Sequence, residues 1–205
     1  MANKAGPKGK FVIHSNHQNI PKNKPVMRFI SIDPGIQNFA IRIEKCETNV
    51  EMLAMSKHII DIKRKKCGIG STSTRIFNII KVLDEYKEFY PNCDLLIMED
   101  QMFVNEQMTM LKEDVLNYFI YRYPNICVVT ISAKLKTSFI KLNKNMNMAK
   151  EEVVAAFELC EERDDQASLD VLLEYSASKE KTDKVHDLCV TINQLYGFRI
   201  AAGYV

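Results

Sequence analysis

The sequence predicts an α/β domain: a mixed sheet of five strands flanked by helices. Three observations carry this. Two short stretches near the start of the folded part have strand character and are joined by a Pro-Gly turn; two later apolar runs, Leu95 to Met98 and Ile126 to Ile131, are continuous enough to be covered on both faces; and amphipathic stretches of helical period separate and follow those runs. Consecutive hairpins followed by strand and helix in alternation give antiparallel pairing with parallel additions. The 205 residues, with 46% hydrophobic and 26% charged residues, suit one globular domain.

Residues 1–26 carry Lys4, Lys8, Lys10, Lys22 and Lys24 and no acid, so a basic flexible N-terminal arm is expected, with the folded domain running over 27–205. Phe29, Ile30 and Ile32 form a first strand that ends at Asp33-Pro34-Gly35, and the alternation Phe39, Ile41, Ile43 gives a second. A third strand is expected over Met52 to Ile62. The loop Lys63-Arg64-Lys65-Lys66 with Gly68 and Gly70 reads equally as a solvated turn or a phosphate contact. Hydroxyl caps at Ser71 to Thr74 open a helix whose Ile76, Ile79, Ile80, Leu83, Tyr86 and Tyr90 recur at helical spacing until Pro91 stops it. The buried run Leu95 to Met98 then ends in Glu99-Asp100. A helix over Glu106 to Tyr123, closed by Pro124, leads to the strand Ile126 to Ile131. Helices over Ala149 to Cys160, Asp165 to Tyr175 and Thr182 to Tyr196 complete the chain.

Composition excludes several classes. No uncharged apolar stretch approaches the roughly 18 residues of a membrane span, and the start is not a signal peptide, so an intracellular protein without membrane attachment is expected. Six cysteines lie far apart with no C-x-x-C pair, which suits reduced thiols and not structural zinc. No G-x-x-x-x-G-K-[ST] loop is present, so no nucleotide cofactor is expected, and no G-x-S-x-G element offers a serine nucleophile. The acidic run from Glu158 to Asp165 reads as a solvated helix end, and the methionines Met102, Met108, Met110, Met146 and Met148 as adaptable packing.

The chemistry rests on a set of acids. Asp33 ends the first strand, Glu99 ends the fourth, and the last helix carries Asp183 and Asp187 one turn apart. One acid at a strand end is ordinarily a cap. Carboxylates gathered at the ends of neighbouring buried strands instead repel, and hard oxygen donors of this kind select Mg²⁺, with Mn²⁺ as substitute. Two such ions about 3.5–4 Å apart can activate water and stabilise the leaving oxygen in attack on a phosphodiester. Lys134, Lys136, Lys141 and Lys144 make a basic stretch without acids from Ser132 to Met148, suited to a DNA backbone.

The run Ile30 to Ala40 (ISIDPGIQNFA), the run Leu95 to Gln101 (LLIMEDQ) and Thr182-Asp183-Lys184-Val185-His186-Asp187 resemble the opening strand, the second acidic strand and the C-terminal aspartate helix of the Holliday junction resolvases of the RuvC and poxvirus type. The resemblance covers about Met27 to Tyr196. It implies a ribonuclease H-like fold and a homodimeric, Mg²⁺-dependent endonuclease with two ions that nicks opposing strands of branched DNA, and, for a viral protein, the host cytoplasm as location. Asp33, Glu99 and Asp187 would be metal ligands. The family usually has an aspartate three residues before the last; here Lys184 holds that place, and Asp183, one residue earlier, takes the role. Lys150 resembles a lysine that the family sets beside the scissile phosphate, a role for which Lys134 and Lys136 compete. Lys63, Arg64, Lys65, Lys134, Lys136 and Lys141 are the expected DNA contacts, and His186 is an accessory candidate. The same acids would serve a nuclease for RNA–DNA hybrids, and a DNA-binding protein of this fold without metals is the alternative outside enzymes. Actin-like ATPases share the strand order but need two such domains.

Overall fold

The computed structural model describes residues 11–15, 19–22, 24–35, 38–60, 70–100, 106–140, 147–177 and 184–204. In chain order the elements are β1 (Phe11–Ile13), β2 (Met27–Asp33), β3 (Phe39–Cys46), β4 (Val50–His58), α1 (Gly70–Asp84), β5 (Leu95–Glu99), α2 (Glu106–Arg122), β6 (Cys127–Ile131), α3 (Ala133–Lys136), α4 (Met148–Glu162), α5 (Gln166–Ala177) and α6 (Lys184–Ala202). They form one sheet of order β1-β6-β5-β2-β3-β4. The hairpins β2–β3 and β3–β4 are antiparallel, and β5 and β6 add in parallel beside β2. The mixed α/β architecture agrees with the sequence.

The sheet has six strands, however, and not five. The sixth is β1, antiparallel to β6, and it falls within the segment expected to be a flexible arm. Three residues are too short to show a period of two; what holds them is tertiary, a register with Ile131, Thr130 and Val129 and an edge-to-face contact between Phe11 and Phe198 at 5.8 Å. The third predicted strand also starts earlier, at Val50, and ends at His58.

Strand alternation divides the core. Ile30, Ile32, Ile41, Ile43, Leu96, Met98 and Val128 point to one face and pack with residues of α1 and α2. Met27, Phe29, Leu95, Ile97, Cys127 and Val129 point to the other, against Leu135, Leu195 and Phe198. On that second face Ala40 and Met55 pack with residues of α4, α5 and α6. Helix α6 is thus the central element of the second layer. Its Gln194 side chain donates to the carbonyl oxygens of Ile32 (3.3 Å) and Ile97 (2.7 Å), fastening α6 across the ends of β2 and β5. Among the described residues the five cysteines are free and buried, and no helix is long and apolar enough to cross a membrane.

Candidate active site

Register places the two strand-end acids together. β2 and β5 run parallel with Ile32 opposite Met98, so Asp33 and Glu99 stand one step further along, side by side on the α6 face. Asp33 is also opposite Ala40, and Ala40 is opposite Lys57. Glu99, Asp33, Ala40 and Lys57 therefore form one row across β5, β2, β3 and β4. Above this row lies the first turn of α6, which supplies His186 and Asp187.

Cations already engage these carboxylates. Lys57 Nζ donates to Asp187 Oδ2. Lys136, at the end of α3, bridges Glu99 Oε2 at 2.7 Å and Glu152 Oε1 at 3.1 Å. Glu152 is buried on α4 and accepts His186 Nε2 at 2.6 Å, while its backbone carbonyl takes the Asn193 amide at 2.7 Å. Asp33 has no ion pair among those described.

The electrostatics follow from this arrangement. Withdrawal from water, followed by the neighbouring Glu99 carboxylate, pushes the Asp33 pKa up to about 7; Asp187 adds to the rise, and Lys136 and His186 oppose it. Burial works against the charge of Glu152, but the His186 hydrogen bond and the Lys136 ammonium outweigh it and lower its pKa. His186 is raised in turn, chiefly by its bond to Glu152. Burial opposes the Lys136 charge as well, and Glu99 and Glu152 more than compensate, raising it.

Among the described residues, no three of His, Cys, Asp and Glu stand as a group poised to hold a metal ion. In kind the donors do fit a hard divalent cation: Asp33, Glu99 and Asp187 offer oxygen only, and burial, with the Glu99 carboxylate second, raises the Asp33 pKa, so that its charged form would gain from a cation beside it. Asp183, Lys63, Arg64, Lys65 and Lys141 lie outside the described residues. Lys134 is exposed on α3. Lys150 is exposed in the first turn of α4, and standing two positions before Glu152 it points away from the face that carries Glu152. Of the competing lysines, it is Lys136 that reaches the acids.

Lys57 and Glu152 were not anticipated from the sequence. Glu152 had a signal, because it interrupts an apolar stripe with Ala155, Ala156 and Leu159 at helical spacing. Lys57 shares a strand face with buried Met55, but only the cross-strand register shows what it faces.

No protein-family model matches the sequence, and no curated protein does. Solved structures match. RuvC of Thermus thermophilus superposes with a TM-score of 0.56 at 12% identity, over 86% of this chain and 98% of that one. The yeast mitochondrial Holliday junction resolvase Ydc2 gives 0.59 at 16% identity, over 89% and 85%. The fowlpox virus Holliday junction resolvase gives 0.51 at 17% identity, over 85% and 98%. The chain has the ribonuclease H-like fold of the RuvC-type resolvases. At such identities the likeness concerns backbone architecture, and within this resolvase fold the row of Glu99, Asp33 and Lys57 beneath α6 is a property of the chain's own residues.

Proposed function

We propose that the protein is a metal-dependent endonuclease that cuts four-way DNA junctions by paired nicks, acting as a homodimer. One observation carries the reading: the parallel register of β2 and β5 sets Asp33 beside Glu99, with Asp187 of α6 near enough to raise the Asp33 pKa. Asp33, Glu99 and Asp187 would hold Mg²⁺, with Asp183 as a further candidate. The metals would supply Lewis acidity, lowering the pKa of attacking water and stabilising the leaving oxygen.

The remaining work falls to residues of the chain itself. Lys136 holds a positive charge against Glu99, where a DNA phosphate approaching the acids would meet it. Glu152 keeps that ammonium and the His186 ring in place from behind. Gln194 clamps the backbone just before Asp33, fixing the strand ends that aim the carboxylates. Exposed Lys134 is suited to the DNA backbone. The resolvase structures that match include RuvC of T. thermophilus in complex with Holliday junction substrate, at a TM-score of 0.56, which supports branched DNA as the partner.

The test is cleavage of a synthetic four-way junction with and without Mg²⁺, beside a linear duplex and an RNA–DNA hybrid. Expected are symmetric paired nicks in the junction that need Mg²⁺, and an Asp33→Asn variant that binds the junction but leaves it intact. A wild-type protein that ignores the junction, or an Asp33→Asn protein that cuts it normally, refutes the proposal. Preferential cutting of the hybrid would assign the same acids to RNA.

A further inference from the structure

We propose that Lys57 is a positioning residue: it holds the Asp187 carboxylate in the metal-free protein and is displaced from it when a divalent cation binds. The inference rests on the reading of the acids as metal ligands. Its starting point is the burial of Lys57, whose side chain is only 3% exposed although it lies on β4, an edge strand of the sheet. A lysine withdrawn this far from water is tolerated only against an opposite charge, and among the described residues Asp187 is its single ion-pair partner.

Lys57 and a divalent ion would therefore seek the same oxygen. A metal ligated at roughly 2.0–2.1 Å leaves no room for an ammonium on that oxygen, and two cations so close repel strongly away from bulk water. The competition is reciprocal: whatever factor Lys57 takes from metal affinity, the metal takes from the Lys57–Asp187 pair.

Lys136 is placed differently. It already has a second carboxylate, Glu152 at 3.1 Å, so it keeps a partner when Glu99 turns to a metal. Lys57 has no second carboxylate among the described residues, and its strand, β4, is an edge of the described sheet, so no other described ion pair holds its flexible stem once Asp187 is taken. The two lysines thus divide the labour: one stays in the site, and the other yields. Ala40, fully buried between Asp33 and Lys57, leaves the row free of bulk, so that either cation can reach the carboxylates.

The test is calorimetric titration of the full chain with Mg²⁺, comparing wild type, Lys57→Met and Lys57→Arg. Lys57→Met, which keeps the length of the stem and removes the charge, is expected to bind Mg²⁺ about tenfold more tightly, within the usual range of coupling between two sites. Lys57→Arg, which keeps the charge, stays near wild type. A second readout uses wild-type protein alone: reductive methylation of the Lys57 amine, followed by mass spectrometry, is slow without metal and accelerates on adding Mg²⁺. It decides the matter if Lys57→Met does not fold. Equal Mg²⁺ affinity in wild type and Lys57→Met, or Lys57 that stays protected after wild type has bound Mg²⁺, overturns the role of Lys57 and leaves the metal reading standing. Absence of Mg²⁺ binding in wild type overturns both.

Discussion

Replacing Arg42 with methionine removes the one cation at the centre of a buried charge network behind the candidate site. The Arg42 guanidinium is fully buried on β3 and bonds Glu44 through Nε at 2.8 Å, Asp165 through Nη2 at 2.6 Å and Ser168 Oγ through Nη1 at 2.7 Å. Deleting one partner of a buried ion pair costs about 3–5 kcal/mol, because the remaining charge stays out of water without compensation. Glu44 keeps Arg163 at 3.3 Å and Arg199 at 3.7 Å, whereas Asp165 has no other ion pair among the described residues. The loss therefore falls at the lower end, about 3 kcal/mol, or roughly 6–12 °C in melting temperature for a chain of this size. Acid should shrink it. Burial opposes the Glu44 charge, but Arg42 and then Arg163 and Arg199 prevail and hold its pKa at about 2, against an ordinary 4.5. Its contribution is then complete above pH 4.5 and declines as the pH falls toward 2. The variant has less of this contribution to lose, so the gap between the two proteins narrows on acidification. Urea unfolding followed by circular dichroism at pH 7 and pH 3.5 measures both quantities. A loss below about 1 kcal/mol at pH 7, or one of the same size at both pH values, refutes the reasoning.

Two further substitutions probe how the site is held. A Cβ on Gly197 of α6 would lie 2.5 Å from the Leu135 carbonyl oxygen and 3.2 Å from that of Lys136, both backbone atoms; Gly197→Ala, ordinarily favourable in a helix by about 1 kcal/mol, should here lower the melting temperature and reduce junction cleavage by shifting α3 and its Lys136. Unchanged stability and cleavage would remove α3 from the account. Ala40→Leu places bulk in the row between Asp33 and Lys57; it should weaken Mg²⁺ binding by calorimetry more than it weakens junction binding in a gel shift, and equal effects on both would contradict the assignment of that row to the metals.

The parts of the fold that announce themselves in sequence are those in which local pattern and tertiary context agree. The Pro34-Gly35 turn with the Phe39, Ile41, Ile43 alternation gives the β2–β3 hairpin, and the unbroken apolar runs before Glu99 and Ser132 give the two buried parallel strands. The pairing of Asp33 with Glu99 was legible because each acid closes a short apolar strand of its own. β1 was not, since Phe11–Ile13 has no pattern of its own and is a strand only because β6 offers a partner. Lys57 and the choice of Lys136 over Lys134 and Lys150 were hidden for a related reason: a lysine's sequence neighbours say that it carries charge, but only register and helix phase say which carboxylate it meets.

The short β1 strand also bears on how the protein can be shortened. Starting the chain at Met27 would strip the outer rail from β6, leaving the backbone groups of Val128–Ile131 along that margin open to another molecule's strand and baring Phe198 where the Phe11 ring now rests. Residues that look dispensable in the sequence thus act as a seam, keeping the sheet from growing past its own border.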